Sequence, residues 1–61
     1  MNNTEIAMSI QCGHEDELDG ILSDIDLVKR AAHLAQEEYQ VSKDEAWSIG
    51  AEVLKIYGEV V

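Results

Sequence analysis

Residues 47–61 read WSIGAEVLKIYGEVV, and what this stretch can be buried against decides the fold. Drawn as a helix, Trp47, Gly50, Leu54, Tyr57 and Val61 form one apolar stripe, while Ile49, Val53, Ile56 and Val60 form a second. Glu45, Ser48, Glu52, Lys55 and Glu59 make the only polar stripe. One neighbouring helix covers one stripe and not both. The chain must therefore supply more than a single partner for this helix.

Working back from that stretch, Ser42-Lys43-Asp44-Glu45 reads as a capping box, in which the serine hydroxyl accepts from the Glu45 backbone and the glutamate reaches back. A helix is expected over 43–57, ending near Gly58, after a turn of only residues 40–42. Upstream, Leu18, Ile21, Ile25, Val28, Ala32, Ala35 and Tyr39 follow spacings of three and four through residues 15–40, the seam of a second helix. Gly20 and Ser23 weaken its early part. Ser23 is itself a suitable N-cap, so that helix is either broken there or begins afresh. Leu27, Ala31 and Leu34 lie off the seam and form a surplus apolar stripe of their own. A short connection between two helices favours an antiparallel hairpin.

Residues 1–14 are ambiguous. Ile6, Met8, Ile10 and Cys12 alternate with other residues as a strand would, yet Ile6 and Ile10 are also one helical turn apart. The segment is expected to be flexible or weakly ordered, irregular apart from a short strand or a helical turn, with a frayed polar start. The domain proper is assigned to 15–61.

The expected fold is all-α: an antiparallel two-helix hairpin with an irregular N-terminal segment, dimerising into a four-helix arrangement. Two helices alone would leave the second stripes in water, and an exposed apolar patch of that kind usually marks an interface. A homodimer covers both at once. Ala46 and Gly50, one turn apart, are small enough to let backbones approach there. Leu18, Ile21, Ile25, Val28, Ala32, Tyr39, Trp47, Gly50, Val53, Leu54 and Tyr57 are assigned to the core and dimer contact.

Thirteen Asp and Glu stand against four Lys and Arg, giving a net charge of −9. Such a chain repels nucleic acids and anionic membrane surfaces and is drawn to basic protein surfaces. The single cysteine, Cys12, permits no intrachain disulfide. The opening MNNTEIAMSIQC lacks the positive start and long apolar stretch of an export signal, so a cytoplasmic setting is expected. No apolar run is long enough to suggest a membrane span.

Chemistry is sparse. Cys12, His14 and Asp16 lie close together, with His33 farther on, but zinc sites are built from four well-spaced ligands. No cofactor, metal or catalytic site is expected, because nothing supplies an orienting group or an oxyanion hole for Cys12 and His14. Lys29, Arg30 and His33 form the one basic cluster and read as a solvated face. The acids are more concentrated: Glu15, Asp16, Glu17, Asp19, Asp24 and Asp26 put six carboxylates between residues 15 and 26. They read either as helix starts complementing the dipole or as a surface that docks on a basic partner.

In general style, LDGILSDIDLVKRAAHLAQEEYQ followed by SKDEAWSIGAEVLKIYGEVV resembles the small acidic accessory proteins of temperate lambdoid bacteriophages. That resemblance covers residues 15–61 and assigns no functional residue. It implies an early protein that modulates host processes through protein contacts. The expected function is a non-enzymatic interaction module, a regulator, adaptor or inhibitor, whose partners are a second copy of itself and a host protein with a basic surface. The alternative is a DNA-associated regulator of ribbon-helix-helix type, which has one N-terminal strand and two helices. Its strand should carry basic or polar readers, whereas here it would present Thr4, Glu5, Ala7, Ser9 and Gln11.

Overall fold

The computed structural model describes residues 1–60, with the Val60 side chain and Val61 outside the described set. Four helices follow one another: α1 (Asn3–Gly13), α2 (Glu15–Asp19), α3 (Asp24–Tyr39) and α4 (Lys43–Val60). No strand occurs among the described residues.

The N-terminal segment corrects the sequence expectation, being a three-turn helix rather than irregular chain. Asn2 opens it with a complete capping box: Glu5 N–H donates to Asn2 Oδ1 at 2.9 Å, and Asn2 N–H to Glu5 Oε1 at 3.4 Å. The same bonds replace the frayed start. The helical turn between Ile6 and Ile10 wins over the alternation because it puts Ile6, Ala7 and Ile10 on one buried face. A ribbon-helix-helix arrangement requires a strand in this place.

That buried face answers the problem of the two-sided helix. α1 packs against both α3 and α4, and its Ile6, Ala7 and Ile10 join Leu27, Ala31, Leu34, Ile49 and Val53 in one apolar cluster. Much of the surplus stripes is thus covered within a single chain: Ile49 and Val53 are fully buried, Leu27 and Leu34 nearly so, and Ile56 half-buried. Burial of an Ile, Leu or Val side chain stabilises by roughly 1.5–3 kcal/mol. A domain of this size, which buries only about 60% of its unfolded surface, depends on such contributions.

The expected break near Ser23 is present. α2 stops at Asp19, Ile21 N–H turns back onto the Leu18 carbonyl at 3.1 Å, and α3 begins after Ser23, whose carbonyl accepts from Leu27 N–H at 3.0 Å. The Ser23 hydroxyl makes no capping bond. α3 ends where Gln40 adopts φ 54°, a left-handed residue whose N–H caps the Gln36 carbonyl. α4 starts where the sequence indicates, with Glu45 N–H donating to Ser42 Oγ at 3.2 Å.

α3 and α4 approach most closely at Gly50. A Cβ there would lie 2.5 Å from the Val28 carbonyl oxygen and 3.0 Å from a Val28 methyl. The small residue expected at a contact between chains therefore serves a contact within this one. Gly58, in the same helix, has nothing within 4 Å of such a Cβ. Alanine at Gly50 should cost about 1–3 kcal/mol through overpacking against backbone, even after the gain in helix propensity. Alanine at Gly58 should stabilise by up to about 1 kcal/mol. Thermal melts of the two variants beside the parent chain check both signs.

Candidate interaction surface

All six carboxylates of residues 15–26 are exposed. α2 carries Glu15, Asp16 and Glu17 in its first turn, and α3 carries Asp24 and Asp26 in its own. There they face the positive ends of the helix dipoles, an arrangement worth about 0.3–1 kcal/mol for each acid at low salt. Two of the six are engaged inside the molecule. Glu17 pairs with Arg30 at 3.2 Å, and Asp19 Oδ1 accepts the Tyr57 hydroxyl at 2.6 Å. Glu15, Asp16, Asp24 and Asp26 take part in no ion pair among the described residues.

The residues assigned to core and dimer divide into three groups. Leu18, Ala32, Gly50 and Val53 are buried. Ile21, Val28, Tyr39, Leu54 and Tyr57 are half-buried at the margin of the core. Ile25 and Trp47 lie at the surface of the single chain, at 55% and 38% exposure. The inward arc of α3 centres on Ala31 rather than on the seam, because α1 draws Leu27, Ala31 and Leu34 inward and leaves Ile25 at the rim. Sequence reading missed the contribution of Ile6, Ala7 and Ile10. The signal that marks it is the Asn2…Glu5 capping box directly ahead of the Ile6, Ile10 pair.

Three further polar contacts tie elements together or line their faces. Ser9 of α1 shares a 2.7 Å hydrogen bond with the Tyr39 hydroxyl, and His14 Nε2 lies 2.5 Å from Glu38 Oε2. His33 pairs with Glu37 one turn away at 3.1 Å. His14 and His33 thus each face a glutamate. The Cys12 thiol is exposed. No group of three or more His, Cys, Asp or Glu side chains among the described residues is placed to hold a metal ion. Lys29, Arg30 and His33 are exposed and line an open groove with Leu22 and Asp26. Leu22 stands almost fully in solvent, at 97% exposure. No described helix is long and apolar enough to cross a membrane.

Comparison with protein-family models, with curated proteins and with solved structures finds no match. The functional reading therefore rests on the surface itself.

The titration of Tyr57 is displaced upward. Burial raises its pKa above the usual 10.0, and the hydrogen bond to Asp19 raises it further. Its neutral form is favoured by folding, so this contribution to stability is complete below pH 10 and is lost as pH rises through the folded-state value. Chemical denaturation of the parent chain and of Tyr57→Phe at pH 8 and in the range above 10 checks this. The parent should lose more stability than the variant over the alkaline interval.

Proposed function

We propose that this protein is a non-enzymatic interaction module, a regulator, adaptor or inhibitor that acts in the cytoplasm by docking its acidic face on a partner protein with a basic surface. The observation that carries the reading is the exposure of all six carboxylates across α2 and the first turn of α3, with five of them free of ion pairs among the described residues. A surface that served only the helix dipoles would need acids within the first turns alone. Here Asp19 lies outside both first turns and stands with Asp24 along one groove. The net charge of −9 argues for a protein partner and against nucleic acid. The resemblance to phage accessory proteins would make that partner a bacterial host protein.

The test replaces Glu15, Asp16, Asp24 and Asp26 by lysine in one variant. Tagged parent and variant chains are used to recover partners from a bacterial lysate, with washes at low and high salt. The parent should retain a discrete partner at low salt and release it at high salt, as screened charge pairs do. The variant should recover it about tenfold less well, or worse. Equal recovery by parent and variant would reduce the acids to a solvated surface.

A second reading is favoured by Trp47 and Ile25. On α4, Trp47 points opposite to Ile56, which lines the boundary with α1. The α3–α4 pair, taken as an antiparallel hairpin, would then self-associate through Trp47, Ala51 and Ile25. The burial of Ile49 and Val53 by α1 shifts the dimer contact away from the stripes that first suggested it. Sedimentation at micromolar concentration should show a dimer that Trp47→Lys converts to a folded monomer. A parent chain that sediments as a folded monomer removes this reading.

A further inference from the structure

Where α2 and the start of α3 meet the end of α4, the surface dips into a groove. Its walls are the half-buried Ile21, Leu54 and Tyr57 and the buried Leu27, and Asp19 and Asp24 stand at its rim. No Lys, Arg or His lines it, in contrast to the neighbouring groove that holds Lys29, Arg30 and His33. Neither rim carboxylate has an ion-pair partner among the described residues. The Tyr57 hydroxyl donates to Asp19 Oδ1 at 2.6 Å and so holds that carboxylate at the groove's edge, beside the aromatic ring.

We propose that this groove receives an arginine side chain from the basic partner, a proposal that rests on the acidic-docking reading and names its anchor. The occupant follows from charge and shape together. An apolar side chain would cover the walls but strip water from two carboxylates without replacing its hydrogen bonds. A second copy of this chain, meeting the groove about a two-fold axis, would bring an acidic rim against an acidic rim. A guanidinium satisfies each feature in turn. Its methylene stem lies along Leu27 and Leu54 while the charged head stays at the rim. The planar head stacks on Tyr57, and its N–H fork reaches the carboxylates. Lysine supplies the charge and the stem but a compact, strongly hydrated head that neither stacks nor forks.

The probe is a blocked hexa-arginine peptide, titrated at low salt into the full chain labelled for two-dimensional NMR, with hexa-lysine and hexa-citrulline peptides in parallel. The arginine peptide should shift the amides of Ile21, Leu54, Tyr57 and Gly58. It should bind about tenfold more tightly than the lysine peptide, with the citrulline peptide inert, as charge-assisted and bidentate bonding requires. Asp19→Asn combined with Asp24→Asn should weaken binding about tenfold, and Glu15→Gln combined with Asp16→Asn only about twofold. Asp24→Asn alone, which leaves the Tyr57 bond intact, should show a partial loss and covers the case in which the double variant does not fold. Equal losses from the two pairs, or equal affinity for lysine and arginine, would overturn the groove while leaving a diffuse acidic surface. Absence of binding by either cationic peptide would overturn the acidic-docking reading as well.

Discussion

The packing of α1 onto the outward stripes of α3 and α4 is the contact on which the rest of this structure depends. α4 is apolar around most of its circumference, and α3 can cover only one side of it. Ile6, Ala7 and Ile10 cover Ile49 and Val53 together with Leu27, Ala31 and Leu34, which closes a core inside one short chain. Without α1, those stripes would form an exposed apolar patch of the kind that drives association. The contact also rotates the register of burial on α3. Ala31 becomes the centre of the buried arc and Ile25 its edge, so the residues left half-open differ from those the longest apolar seam indicates.

Close approach of backbones is the second consequence. With little volume to fill between α3 and α4, Gly50 sits against the Val28 carbonyl, and Ala46 is buried one turn earlier. The core therefore combines small residues, Ala31, Ala32, Ala35, Ala46 and Gly50, with the branched aliphatics Ile6, Ile10, Leu27, Leu34, Ile49 and Val53. Such a core holds few large side chains, and each contributes a sizeable part of the small net stability of a domain this size.

Charge is arranged by the same break in the chain that divides α2 from α3. Had residues 15–40 formed one rod, the acids would have spread along it. The turn through residues 20–23 instead brings Asp19 and Asp24 to one groove and swings Asp19 onto Tyr57 at the end of α4. That hydrogen bond joins the acidic face to the hydrophobic margin of the core. It is also what gives the groove beside it a fixed carboxylate and an aromatic wall.

Much of the fold is legible in the residues. Ser42 and Glu45 place the start of α4, Ser23 places the start of α3, and the absence of proline together with periodic aliphatics gives an all-helical chain. The N-terminal helix is less legible, since Ile6, Met8, Ile10 and Cys12 satisfy strand and helix periodicity equally over so short a run. The local marker that separates the two is the capping box of Asn2 and Glu5. The six acidic positions are read directly from sequence, because exposed charge needs no partner to be recognised. What sequence alone determined, then, was the all-helical class, the starts of α3 and α4 and the charge, all of them properties of neighbours within a turn or two along the chain. Which stripes are buried, which apolar residues remain at the surface, and the meeting of Asp19 with Tyr57 were decided only by the tertiary structure. Those depend on α1 docking across contacts far apart in sequence, and on competition among several apolar faces for the same limited interior.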